Sequence, residues 1–194
     1  TKPFWFQLYV MRDRSFTEEL IARAVAAQCS ALVLTLDLTV QGVRRRDVKN
    51  GLSIPPRLKL KNALDIMTKP SWALGVLMGK RRTFGNLEAR LKNTGGLLTL
   101  SQWIASQFDP SITWKDIEWV RSRWPGKLIV KGVLDAEDAR LAAEHGVDAL
   151  VVSNHGGRQL DGAPSPMRML AAAIEAARGM PVMIDSGFRR GTDV

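Results

Sequence analysis

The chain has 194 residues, of which 45% are hydrophobic, and this is enough to bury the core of a soluble globular protein. Its single cysteine, Cys29, excludes an internal disulfide and gives no sign of a metal site, and no apolar run is long enough to span a bilayer. The net charge of +9 comes from one stretch, the basic segment at residues 40–100, which has thirteen Lys and Arg against three Asp and Glu.

Short apolar runs recur along the chain and are typical of buried strands. They are continuous rather than alternating, as in the strands of a parallel sheet that is covered on both faces. The pattern predicts five strands, at Phe4–Val10, Ala31–Leu36, Leu128–Lys131, residues 149–153 and Pro181–Asp185.

Amphipathic segments with helix-start signals lie between these strands. Four helices are predicted, beginning at Ser15, Thr113, Asp135 and Ser165. The first helix is expected to bury Val25 with the rest of its apolar face, and the last helix is expected to bury Ile174. The long stretch from about Asp37 to Ile112 is predicted to be irregular.

The alternation of strand and helix favours a parallel sheet covered by helices. Residues 30–35 and 148–153 also resemble each other, because each follows a helix and ends in a hydroxyl side chain. Such repeated units predict an α/β fold of the TIM or (β/α)8 barrel type. An open doubly wound sheet is the alternative, but polar residues recur at every strand end rather than at one switch point.

A complete barrel has eight strands, and the sequence accounts for about five. The sequence enters a strand almost at once and stops where a helix could begin, so we expect the other strands to lie outside it. The predicted organisation is a single partial barrel domain over residues 1–194. It is interrupted by a long basic insertion at residues 52–112.

Polar and charged residues stand at the carboxyl ends of the predicted strands, which share one face of a barrel. Each has an ordinary explanation when taken alone: Tyr9 as a core aromatic, Lys131 as a solvated strand end, Asp37 as a turn former. Their recurrence at five strand ends favours a functional site. The set comprises Gln7, Tyr9, Thr35, Asp37, Lys131, Ser153, His155, Arg158, Asp185 and Arg189.

The stretch Ser153–Gln159 contains one of the two histidines of the chain, followed by two glycines and an arginine. A titratable base at the end of a strand, with a guanidinium beside it, is typical of α/β enzyme sites. The alternative is a strand-to-helix turn in which the glycines only reverse the chain and His155 bonds locally.

Six segments of the sequence resemble, in order, the FMN-dependent 2-hydroxy acid dehydrogenases and oxidases. The run SNHGGRQLDG is highly specific, and the others are moderately so. The segments are Phe6–Val10, Thr35–Asp37, Gly42–Asp47, Val130–Val133, Ser153–Asp161 and Asp185–Gly191. Within the family, Lys80–Leu87 and Gln107–Trp114 are most similar to the bacterial, membrane-associated L-lactate dehydrogenases.

The resemblance implies that FMN is the cofactor and that an (S)-2-hydroxy acid, in the first place L-lactate, is oxidised to a 2-oxo acid. His155 is then the base that takes a proton from the substrate, and Asp37 holds its ring and favours the imidazolium. The implied substrate-binding residues are Tyr9, Arg44 and Arg158. The implied FMN-binding residues are Gln7, Thr35, Lys131, Ser153, Asp185, Ser186, Gly187 and Arg189, the last two at the phosphate.

Two other functions stay open at this point. A soluble 2-hydroxy acid oxidase that passes electrons to oxygen would use the same residues. A protein of another class would be a non-catalytic barrel, or one that binds a phosphate ligand. The sequence has no Walker-type loop and no Gly-x-Gly-x-x-Gly turn after a strand, which weighs against an NTP or NAD site.

Apolar residues are interleaved with Lys and Arg in the basic insertion, and this combination favours attachment to an anionic membrane surface. A solvated active-site lid is the alternative, and nucleic-acid binding is not expected because no nucleic-acid module is recognisable. The resemblance implies a peripheral enzyme on the cytoplasmic side of the inner or plasma membrane. It further implies a quinone or cytochrome as electron acceptor and a homotetramer as the assembly.

Overall fold

The computed structural model describes residues 2–37, 42, 44–51, 59–79, 85–86, 103 and 106–194. The chain divides into two compact units, the first formed by Thr1–Gly42 with Phe108–Val194 and the second by Val43–Gln107. The first unit contains a sheet and four of the helices named in this subsection, and the described residues of the second unit include three short helices.

The sheet of the first unit is parallel. Its strands are β1 (Trp5–Tyr9), β2 (Ala31–Thr35), β3 (Lys127–Val133), β4 (Ala149–Val152) and β5 (Val182–Ile184). Each strand pairs with the next one along the chain, in the order β1-β2-β3-β4-β5. This order has no point at which the winding reverses, so it fits consecutive strands of a (β/α)8 barrel and not a doubly wound sheet. All five predicted strands are confirmed, with ends that differ by one or two residues.

The helices connect these strands or belong to the second unit. They are α1 (Arg14–Ala26), α2 (Arg45–Lys49), α3 (Leu60–Met67), α4 (Pro70–Met78), α5 (Trp114–Arg121), α6 (Ala136–Glu144) and α7 (Pro166–Ala176). The predicted starts of α5, α6 and α7 are confirmed. For example, the Asp135 carboxylate accepts a hydrogen bond from the Glu137 amide at 2.8 Å and caps α6.

The predicted start of α1 is wrong. Asp13 caps this helix by accepting a hydrogen bond from the Phe16 amide at 3.1 Å, and Ser15 donates its hydroxyl proton to Asp13 at 2.6 Å. A carboxylate has several acceptor sites and can take both bonds, whereas the Ser15 hydroxyl is used as a donor. The predicted burial of Val25 and Ile174 is also wrong, since they are 40% and 52% exposed. Their helices bury a narrower stripe than the apolar pattern indicated.

The two faces of the sheet carry different side chains. One face carries fully buried Leu and Val, and the other carries a second apolar cluster: Ala31, Val33, Ile129, Ala149 and Val151, with Met183 packed against it. Side chains alternate between faces along a strand, so the second face continues into the polar residues that follow the cluster. These polar residues are Tyr9, Thr35, Lys131, Ser153 and Asp185. The carboxyl ends of the strands, called the carboxyl edge below, therefore gather polar groups on one face.

The second unit contains α2, α3 and α4, so the prediction that residues 37–112 are irregular is wrong for these segments. The Asn62 side chain accepts a hydrogen bond from the Lys59 amide at 2.8 Å at the start of α3, and Pro70 stands in the first turn of α4. Most apolar side chains of α3 and α4 are exposed. No helix in the described part of the chain is both long and apolar enough to cross a membrane.

Candidate active site

Three predicted site residues lie side by side at the carboxyl edge. Tyr9 is paired in register with Thr35, and Thr35 is paired with Lys131. The Gln7 side-chain amide donates hydrogen bonds to the Tyr9 hydroxyl at 2.8 Å and to the Thr35 hydroxyl at 2.9 Å. These bonds connect β1 to β2 and fix the tyrosine hydroxyl at the edge.

Lys131 links β3 to the next two strands. Its ammonium group donates a hydrogen bond to the Ser153 hydroxyl at 2.7 Å and forms an ion pair with the Asp185 carboxylate. Burial raises the pKa of the Asp185 carboxyl, but hydrogen bonds from Lys131, Ser153 and Ser186 and the lysine charge outweigh it, so the pKa lies below its ordinary value. The lysine side chain is only 13% exposed, which makes it a nearly buried cation at the centre of the edge.

His155 and Asp37 form a pair across 118 positions of sequence. The Asp37 carboxylate contacts His155 Nδ1 through Oδ2, and the side chains of His155 and Asp37 are 18% and 17% exposed respectively. An ionised carboxylate can only accept a hydrogen bond, so Nδ1 carries the proton in this contact. Nε2 is then the basic nitrogen of a neutral ring and the atom that can take a proton from a ligand.

The turn that presents His155 has an uncommon backbone. His155, Gly156 and Gly157 all have positive φ, at 53°, 63° and 71°. Glycine adopts such angles at little cost, which explains why glycines occupy positions 156 and 157. For His155 the same backbone angle is unfavourable and must be stabilised by other contacts. The His155 amide donates to the Ser153 hydroxyl at 3.2 Å, and the Gly156 amide donates to the Ser186 hydroxyl at 3.1 Å.

Sequence reasoning missed two residues of this turn. The Asn154 side chain accepts a hydrogen bond from the Gly156 amide at 2.9 Å, and a signal existed because asparagine side chains commonly bond the backbone two residues further on in turns. The Gln159 side chain accepts a hydrogen bond from the Gly42 amide at 3.1 Å. That bond joins residues 117 positions apart, and no local pattern could have revealed it.

The other predicted residues are placed as follows. Ser186 lies at φ 78° and accepts hydrogen bonds from the amides of Asn154 and Gly156, so it supports the His155 turn. Gly187 follows at φ 110°, and the Arg189 amide donates to Asp193 at 2.7 Å. Arg158 is exposed directly after the His155 turn.

Arg44 belongs to the second unit, where it is exposed and precedes α2. The described carboxyl edge therefore brings together a histidine oriented by a carboxylate, a nearly buried cation and a tyrosine hydroxyl. Such a set can take a proton from a bound hydroxyl compound and balance negative charge that develops beside it.

Comparisons with known proteins agree with this chemistry. The family model described as FMN-dependent dehydrogenase matches residues 1–194. The L-lactate dehydrogenases of Ectopseudomonas mendocina (strain ymp) and Acinetobacter baylyi (strain ATCC 33305 / BD413 / ADP1) are each 48% identical over 195 residues. These alignments cover 100% of this chain and 51% and 50% of those proteins, so the chain spans about half the length of the curated relatives it matches.

A solved structure gives the same result for the fold. The crystal structure of the monotopic membrane protein (S)-mandelate dehydrogenase is 40% identical and superposes with a TM-score of 0.89, over 98% of this chain and 50% of that one. The predicted fold class is confirmed, because the sheet has the strand order of a (β/α)8 barrel, the fold of this family. Since the family model covers the entire sequence, the chain belongs to the FMN-dependent dehydrogenases.

Proposed function

We propose that the protein oxidises an (S)-2-hydroxy acid with FMN and that its substrate is L-lactate, which becomes pyruvate. The observation that carries the proposal is the His155–Asp37 pair at the carboxyl edge, beside the Lys131 cation. The choice of a 2-hydroxy acid is supported by the names of the relatives, two of them L-lactate dehydrogenases and one an (S)-mandelate dehydrogenase.

The donor set at the carboxyl edge fits FMN. An amide, two hydroxyls and an ammonium group lie on one face of the sheet, which suits a ring with a polar edge that becomes negative on reduction. In this proposal the ring is bound by Gln7, Thr35, Lys131 and Ser153, the ribityl chain by Asp185, and the phosphate by Gly187 and Arg189, and Ser186 also belongs to the FMN-binding set. When bound, FMN supplies the acceptor for two electrons.

The protein residues then have the following tasks. His155 takes a proton from the substrate at Nε2, and Asp37 stabilises the imidazolium that results because opposite charges attract. Arg158 binds the substrate carboxylate, since a planar guanidinium can donate to both oxygens at once. The same role for Arg44 stays a prediction. The Tyr9 hydroxyl, which is oriented by Gln7, hydrogen-bonds the substrate.

The test is His155→Gln in the full-length, FMN-loaded protein. Loss of a positioned general base is expected to slow flavin reduction by L-lactate by about 10²- to 10⁴-fold while FMN content is unchanged. Flavin absorbance after rapid mixing measures the rate. The matched control is His145→Gln, because the other histidine stacks on Trp114 and contacts Glu118 rather than the carboxyl edge. A near wild-type rate in His155→Gln would contradict the proposal.

The electron acceptor in this proposal is a quinone or a cytochrome at the membrane rather than oxygen. The exposed apolar side chains of α3 and α4, in the basic segment, favour this choice, as does the monotopic membrane relative. Comparing hydrogen peroxide formation under air with the reduction of a soluble quinone distinguishes the two. A peripheral location on the cytoplasmic side of the membrane belongs to the same proposal, and the homotetramer stays a prediction.

A further inference from the structure

Gly132 is an irregular point in β3, next to the central lysine of the site. The register of β3 against β4 shifts between Lys131, which is paired with Val151, and Val133, which is paired with Val152. Gly132 is therefore the extra residue of a β-bulge, and its φ of +99° lies in a region that side-chain-bearing residues rarely adopt. Bulges of this kind redirect neighbouring side chains, and Lys131 here is directed at Ser153 and Asp185.

The space beside Gly132 is filled by the carboxylate of Asp37. A Cβ atom on Gly132 would lie 2.6 Å from Asp37 Cγ and 2.8 Å from both Cβ and Oδ1. The two backbones cannot easily separate, because the Leu36 amide donates to the Lys131 carbonyl at 2.9 Å. A side chain at residue 132 would therefore move the Asp37 carboxylate rather than the strands.

The Asp37 carboxylate has little else to fix its orientation. Oδ2 contacts His155, whereas Oδ1 is buried and has no hydrogen-bond partner among the described residues. One oxygen is thus oriented by the histidine, and the rest of the group is confined by packing over Gly132. The position of the imidazole consequently depends on the bulge.

We propose that Gly132 is a positioning residue of the active site. By lacking a side chain it leaves the space in which Asp37 orients His155. The inference rests on the proposed function in one respect, that His155 is the base. It adds a residue that acts only through its neighbours.

The Gly132→Ala variant is expected to fold, because the displaced Asp37 carboxylate can move into a neighbouring cavity. Asp37 and Gly132 both border a cavity of about 430 Å³, whose other walls include Leu36, Trp114 and Val133. The matched control is Gly179→Ala. Gly179 has a similar φ of +86°, and a Cβ atom added to it would meet no described atom within 4 Å beyond its chain neighbours, so this variant carries the backbone strain without a clash.

The experiment compares both variants in the full-length, FMN-loaded protein. In Gly132→Ala the kcat for flavin reduction by L-lactate should fall about 100-fold, as for a misplaced catalytic group, with little change in KM. The low-field proton resonance of His155 Nδ1, which reports the bond to Asp37, should be lost. Gly179→Ala should retain both. A Gly132→Ala protein that keeps the resonance and the rate would overturn the inference.

Asp37→Gly tests whether the effect of Gly132→Ala is transmitted through the Asp37 side chain, since it removes all three atoms that the added methyl group would meet. Asp37→Gly with Gly132→Ala should be no slower and no less stable than Asp37→Gly alone, apart from the strain measured in Gly179→Ala. A further loss beyond that strain would overturn the inference, even if Gly132→Ala alone does not fold. If wild type oxidises no 2-hydroxy acid, the proposed function fails, but the resonance still tests the positioning role.

Discussion

His155 has a left-handed backbone at φ 53°, which costs an ordinary residue about 1–2 kcal/mol. Hydrogen bonds from the backbone amides of the turn to the side chains of Ser153, Asn154 and Ser186 offset this cost. Uncommon backbone angles that are supported in this way are frequent at functional sites. The turn therefore keeps the imidazole in one place before any ligand binds.

The Lys131–Asp185 pair is expected to make stability depend on pH. Asp185 has a folded-state pKa below its ordinary value of 3.8, so its contribution is complete above that value and is lost as pH falls through the lower, folded-state value. Asp185→Asn should therefore lower the melting temperature at pH 7, and the difference from wild type should shrink below about pH 4. Thermal unfolding between pH 3 and pH 7 measures this. A difference that stays constant down to pH 3 would contradict it.

At the scale of elements, the amino ends of β3 and β4 carry a hydrogen-bond network that stabilises the fold. The Asp148 carboxylate accepts hydrogen bonds from Arg121 at 2.9 Å, from the Leu128 amide at 2.9 Å and from Lys127 at 2.8 Å. Burial raises the pKa of Asp148, but the bonds from Lys127 and Leu128 outweigh it and the pKa lies below its ordinary value. One carboxylate thus joins α5, the start of β3 and the turn before β4.

Asp148→Ala is expected to destabilise the fold without changing the chemistry. Leaving the donors of this network without their acceptor should lower the free energy of unfolding by about 1–3 kcal/mol, as measured by urea denaturation. The kcat should be unchanged, because Asp148 lies at the amino end of β4. Glu18→Ala is the control, since its ion pair with Arg123 is exposed and should contribute less than about 1 kcal/mol. An equal loss of unfolding free energy in both variants would show that the Asp148 network stabilises the fold no more than one exposed ion pair does.

Elements could be predicted where the sequence carries a local signal. The strands could be recognised because both faces are buried and each run is continuously apolar. Asp13 was overlooked as the cap of α1 because Ser15 begins an equally good local motif, and only the hydrogen bonds distinguish them. α3 and α4 were overlooked because they are short, at eight and nine residues, and most of their apolar side chains are exposed rather than on a core-facing stripe.

At the scale of the whole molecule, the second unit supplies the surface for the proposed membrane contact. α4 exposes Trp72 and Leu74, each 55% exposed, in a stretch rich in Lys and Arg. We expect the full-length wild type to sediment with anionic lipid vesicles, and Trp72→Glu with Leu74→Glu to stay in the supernatant with unchanged flavin reduction.

The control is Val25→Glu, which places a charge of the same sign on an exposed apolar position of α1 in the first unit. It should sediment like wild type. Deletion of residues 56–100 should also give a soluble protein that still reduces flavin. Sedimentation of the α4 variant or of the deletion variant with the vesicles would contradict the proposed contact.

The sequence by itself determined the strands, most helix starts and the barrel class, because these depend on local periodicity, and it predicted the residues of the proposed site from their places at strand ends and from a specific run around His155. The pairing of His155 with Asp37 was implied only by resemblance, since 118 residues separate them. Only the tertiary structure decided the supporting contacts: the bonds of Gln7 and the closeness of Gly132 to Asp37. These arise from strand register and from a one-residue bulge, and a register is set by the packing of whole strands rather than by any short stretch of sequence.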